Sequence, residues 1–154
     1  MKKIFTLVVC CFALMAKAQT FSDDFESYTV GGHLGSQSPN WTVWSGTAGE
    51  GGTTDVLVAN TDNHTSGGSQ SIYFTSTATS GGPNDCVLPF GGTVLTTGQF
   101  TFSAWFKIPT GKDAYFNFQG GVPPYTSSTL YTLDCWMKTD GSMTIENSGT
   151  LMLS

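Results

Sequence analysis

The sequence predicts an all-β fold, an antiparallel β-sandwich or jelly roll, and three observations carry that prediction. Apolar and polar residues alternate along several short segments, the signature of half-buried strands. Glycine doublets at 31, 51, 67, 81, 91 and 120 separate those segments at uneven intervals, which makes them turns and not the joints of an internal repeat. No segment carries the period of an amphipathic helix. Composition agrees, because charged residues are only 11% of the chain while Gly, Ser, Thr and aromatics are plentiful.

The chain opens on an export signal over residues 1–18. Lys2 and Lys3 give a positive start, Ile4 to Met15 an apolar run, and Ala16-Lys17-Ala18 a small-x-small cleavage pattern that would leave Gln19 as the mature N-terminus. The run is well short of the roughly 20 residues that span a bilayer, so no membrane insertion is expected. A lipoprotein reading is disfavoured because Val9 precedes Cys10 where a small residue is wanted. The expected product is one domain, residues 19–154, secreted or held at the cell surface. It keeps Lys107, Lys112 and Lys138 against all eleven acids, with no arginine. That balance excludes nucleic acid as a partner, since phosphates demand a basic surface.

Within the domain, strands are expected over Phe21–Phe25, Trp41–Trp44, Asp55–Ala59, Ser71–Thr75 and Asp85–Phe90. The cleanest alternation runs from Gln99 to Ile108, with Phe100, Phe102, Ala104, Phe106 and Ile108 on one face. The turn Pro109-Thr110-Gly111-Lys112 predicts a hairpin with the next strand, in which Ala114, Phe116 and Phe118 face inward. Tyr131, Leu133, Cys135 and Met137 share the inward parity of a further strand; Thr139-Asp140-Gly141 turns the chain, and Met143 with Ile145 resumes the inward set. Gly149 to Ser154 reads as the start of another strand. Removing the signal leaves Cys86 and Cys135. Both share parity with apolar neighbours, and either a disulfide or two buried free thiols fits an exported domain.

The run Phe21-Ser22-Asp23-Asp24-Phe25-Glu26-Ser27-Tyr28, then Gly32 and Ser38-Pro39-Asn40-Trp41-Thr42, resembles the opening of concanavalin A-like (LamG-like) jelly-roll domains in secreted multidomain proteins of Bacteroidetes-type bacteria. Ser71 to Phe74, Asp85 to Phe90 and Phe100 to Lys107 extend the likeness. The resemblance implies a fold more than an activity, and a companion role beside proteases, hydrolases or adhesins. It also implies more strands than the chain supplies before Ser154, so the jelly roll is expected to be incomplete.

Two candidate sites follow. With the inward sets assigned to a core, the opposite faces of three strands present Trp105, then Tyr115, Asn117 and Gln119, then Asp134 and Trp136. Aromatic planes stack on sugar rings, while amides and carboxylates bond hydroxyls, so the set suits a shallow carbohydrate site; ordinary sandwich packing is the competing reading. Asp24 and Glu26 share a face, opposite Phe21, Asp23 and Phe25, and are candidate calcium ligands, against the alternative of a solvated acidic edge. Catalysis finds no motif: Asp134 and Glu146 look isolated, and no Glu-x-Asp-x-x-Glu run occurs. The expectation is a non-catalytic, lectin-like domain whose partner is a glycan, or else an accessory domain that docks on a neighbouring protein domain.

Overall fold

The computed structural model describes residues 21–44, 52–76, 82, 84–90, 101–120, 131–147 and 150–153. The export signal lies outside those residues, as do Gln99 and Phe100. The described residues form an all-β protein with two antiparallel sheets and a single helical turn, α1 (Leu34–Gln37). β1 (Leu57–Ala59) pairs with β2 (Ser71–Tyr73), and β3 (Ala114–Gln119), β4 (Tyr131–Met137), β5 (Met143–Asn147) and β6 (Thr150–Leu153) form a meander in chain order.

Phe21–Phe25 is not a strand. Asp23 Oδ1 accepts the Phe25 amide (2.9 Å) and Asp24 Oδ1 the Glu26 amide (3.1 Å), so each aspartate closes a local turn that competes with ladder pairing. Phe25 itself sits at φ 64°, and the Tyr28 amide donates back to its carbonyl at 3.3 Å. The second oxygen of Asp23 accepts both the Tyr28 hydroxyl (2.7 Å) and the Trp41 indole N–H (2.9 Å). Ser38 Oγ completes the network, meeting the Tyr28 hydroxyl at 3.0 Å and accepting the Asn40 and Trp41 amides. The motif residues Asp23, Tyr28, Ser38 and Trp41 are thus bonded to one another.

Above this network lies a small core of Leu34, Val56 and Val58, covered by Phe25, Tyr28, Trp41, Ile72 and Cys86. Backbone bonds from Gly31 to Val58 (2.8 Å), Leu34 to Val56 (2.9 Å) and Val58 to Gly32 (2.9 Å) lay the α1 approach along the free edge of β1. Glu26 reaches across to the loop before β2, accepting the amides of Ser69 (2.6 Å) and Gln70 (2.7 Å). The expected strands around Trp41–Trp44 and Asp85–Phe90 shrink to isolated pairs, Thr42 with Val87 and Asp55 with Asp85.

Residues 101–108 join no ladder, contrary to the cleanest alternation in the sequence. Their facing was read correctly even so: Phe102 packs on Phe116 and Phe118, and Phe106 stacks on Phe116, at centroid distances of 5.2 to 5.6 Å. The turn after them forms, with Lys112 donating to Pro109 at 3.0 Å and Gly111 at φ 77°, but β3 takes β4 as its hydrogen-bonded partner. The β4–β5 hairpin matches expectation. Lys138 donates to Ser142 (2.9 Å), Gly141 to Lys138 (2.9 Å), and Asp140 Oδ1 accepts the Ser142 amide (2.8 Å).

Candidate functional site

The β3–β4 register sets Tyr115 opposite Trp136 and Asn117 opposite Asp134, while Phe116 faces Cys135 and Phe118 faces Leu133. Because side chains alternate across a strand, the first two pairs share one face and the apolar pairs the other. β5 then adds Thr144 opposite Trp136 and Glu146 opposite Asp134. The outer face is one continuous hydrogen-bonded row. The Tyr115 hydroxyl donates to Asp134 Oδ1, Asn117 Nδ2 donates to the Tyr115 oxygen (2.8 Å), and Gln119 Nε2 donates to Asn117 Oδ1 (2.9 Å).

The Trp136 and Tyr115 rings lie 4.2 Å apart between centroids at a 42° tilt, and Trp136 remains 45% exposed, so a broad aromatic surface borders the row. Burial, then the Asp134 carboxylate, pushes the Tyr115 phenol up to about 12, so it stays a donor at neutral pH. The row ends on an unused acceptor: Gln119 Oε1 is buried and has no hydrogen-bond partner. Hydrogen bonds fix the direction of every amide and hydroxyl in the row, which presents a preset pattern to a ligand.

Of the residues read as a sugar face, Tyr115, Asn117, Gln119, Asp134 and Trp136 come together, and Trp105 is drawn elsewhere. Its indole stacks on His64, with centroids 3.7 Å apart and planes 14° off parallel, while Lys107 pairs with Asp62. Glu146 is the residue that sequence reasoning missed. Its signal was present in the hairpin turn, which fixes β5 against β4 and thereby sets Glu146 beside Asp134.

The remaining candidates take structural roles. Glu26 spends its carboxylate on Ser69 and Gln70, whose backbone bonds hold it below the usual carboxylate range. Asp24 closes its turn. Asp24 and Glu26, the candidate calcium ligands, are both engaged by backbone amides, and among the described residues no three His, Cys, Asp or Glu side chains gather as a metal centre. Cys86 and Cys135 are free thiols, so the disulfide is not formed. Also among the described residues, no helix is long and apolar enough to cross a membrane.

Comparison with protein families, with characterised proteins and with solved structures finds no match to this chain.

Proposed function

We propose that the chain is an exported, non-catalytic, lectin-like domain of the concanavalin A-like jelly-roll type, which binds a glycan on the outer face of β3 and β4. The observation that carries the reading is the row Asp134–Tyr115–Asn117–Gln119, bordered by exposed Trp136. A sugar ring offers a flat C–H face for stacking and a rim of hydroxyls that both donate and accept. Carboxylate and amide oxygens in fixed directions match that rim, and Tyr115 with Trp136 supplies the platform. The acidic balance and polar, uncharged loops suit an exported protein working on a neutral ligand.

Retention on a panel of polysaccharides tests the reading. Trp136→Ala is expected to weaken binding by about 10-fold or more, the equivalent of ~1.4 kcal/mol. Trp105→Ala, whose ring belongs to the His64 stack, is expected to leave it unchanged. Equal retention by Trp136→Ala and wild type would remove the proposed face.

The accessory reading draws on a different surface. Phe102 and Phe106 remain 47% and 45% exposed although they pack on Phe116, a strip of aromatic surface suited to a neighbouring protein domain. Under that reading no polysaccharide is retained by any variant.

A further inference from the structure

The ladder between β3 and β4 slips at one place. Phe118 faces Leu133, but the next residue, Gln119, faces Tyr131 and not Thr132. Side chains on a regular strand alternate, so Tyr131 would share the apolar side with Leu133, Cys135 and Met137. An extra residue in the ladder turns the chain beyond it over to the opposite side. Gln119 belongs to the outer row through its bond to Asn117, and cross-strand partners share a face, so Tyr131 stands on the outer face beside Gln119. Tyr131 also acts, after burial and the Asp134 carboxylate, to raise the Tyr115 phenol, as a neighbour on that face would.

A second ring extends this end of the row. Trp44 stacks on Tyr131 with centroids 6.3 Å apart and planes 16° off parallel, and the Trp44 amide donates to Asp85 Oδ1 (2.7 Å), which anchors the segment that carries the ring. Trp44 is 37% exposed and Tyr131 38%, close to the 40% of Tyr115, so each leaves a ring surface for contact. The outer face thus carries two aromatic platforms, Tyr115 with Trp136 at one end of the polar row and Tyr131 with Trp44 at the other. Tyr115 and Gln119 are four residues apart on β3, which at ~3.3 Å per residue separates the platforms by about 13 Å along the strand.

A single sugar ring stacked on Trp136 cannot reach Tyr131 over that distance. A chain of rings laid along the row meets both platforms and the amides and carboxylate between them. Charge narrows the choice of chain. Asp134 and Glu146 face one another across β4 and β5, and among the described residues no basic side chain stands on this face between the platforms. Lys138 follows Trp136 into the turn, where it acts on Asp140. Sulfated or uronate chains would meet like charge here.

We propose, on the basis of the sugar-face reading, that the outer face binds an uncharged polysaccharide lengthwise, with several consecutive rings running from Trp136 and Tyr115 to Tyr131 and Trp44. Calorimetry of the whole chain with cello-, laminari- and xylo-oligosaccharides, each as a series from disaccharide to hexasaccharide, tests it. In the series that binds, affinity is expected to rise by about 10-fold with length, because only the longer chains reach the second platform. Tyr131→Ala is expected to lower hexasaccharide affinity by about 10-fold and to leave the disaccharide unchanged, whereas Tyr131→Phe, which keeps the ring, should match wild type with both. Equal wild-type affinity at every length, or a folded Tyr131→Ala that binds hexasaccharide as wild type does, overturns the proposal. Tighter binding of alginate or heparin than of every neutral series overturns the choice of an uncharged chain. Failure of the underlying reading looks different: a wild-type protein that retains no polysaccharide loses the sugar face and this extension together, while binding without length dependence removes the second platform alone.

Discussion

A single aspartate ties together the segment from Phe25 to Trp41. Asp23 turns the backbone with one oxygen and gathers Tyr28 and Trp41 with the other, so Asp23→Ala strips the partners from a phenol and an indole together. The cysteines are equally local in their consequences. Burial, followed by the Asp85 and Asp55 carboxylates, pushes the Cys86 thiol up to about 12, and burial also raises Cys135. Thiolate is the reactive form, so both thiols are expected to resist a maleimide at pH 8 in the native protein and to react fully in guanidinium without reductant. Denatured protein that shows no reactive thiol would instead establish the bridge. Parity had placed both cysteines inward, and it was right about the direction. What parity could not supply was the partner: Cys86 covers the Leu34 core in the first sheet, whereas Cys135 faces Phe116 in the second.

At the scale of the element, the β4–β5 hairpin and residues 101–108 show what alternation can and cannot say. Both alternate. The hairpin also carries its turn chemistry, with Asp140 accepting the Ser142 amide and Gly141 at φ 85°, so register follows from the turn. Nothing lies within 4 Å of a Cβ built on Gly141, so Gly141→Ala isolates the backbone term and is expected to cost about 1 kcal/mol, read as a lowered Tm with an unchanged circular dichroism spectrum. A Tm equal to wild type would mean that the turn relaxes to another type. Residues 101–108 alternate because Phe102 and Phe106 seek the rings of Phe116 and Phe118, and that burial is satisfied without ladder bonds. Periodicity reports which side chains are covered, not which backbones pair. Hence Tyr115, Asn117, Asp134 and Trp136 were legible as a face from alternation on two paired strands. Trp105 was misassigned because its segment was taken to be a third, and Glu146 emerged only once β5 was in register.

Across the whole molecule, groups in both sheets whose ionisation the fold shifts bound its stability on both sides of neutrality. Glu26 ties the first turns to the loop before β2, and Asp140 holds the β4–β5 turn. Backbone bonds from Gln70 and Ser69 lower the first, and the bonds from Ser142 lower the second. A carboxyl lowered in the folded state binds its proton more readily when unfolded, so its contribution is present above the ordinary value near 4 and is lost as pH falls through the folded one. On the alkaline side the sign reverses in direction but not in logic. Cys86 and Tyr115, each pushed up to about 12, stay protonated in the fold while the unfolded chain ionises at about 9 and 10. Stability they confer is complete below those values and declines as pH rises toward 12. The expected profile of Tm is a plateau from about pH 5 to 9 with a fall on each side, the alkaline fall engaging the first sheet through Cys86 and the second through Tyr115. Tyr115→Phe should lose the part of that fall above pH 10 while starting from a lower plateau, because it gives up the bonds to Asp134 and Asn117. Thermal unfolding across this range measures all of it. A Tm that rises below pH 4 would contradict the roles given to Glu26 and Asp140, and an alkaline fall identical in wild type and Tyr115→Phe would remove the tyrosine from the account.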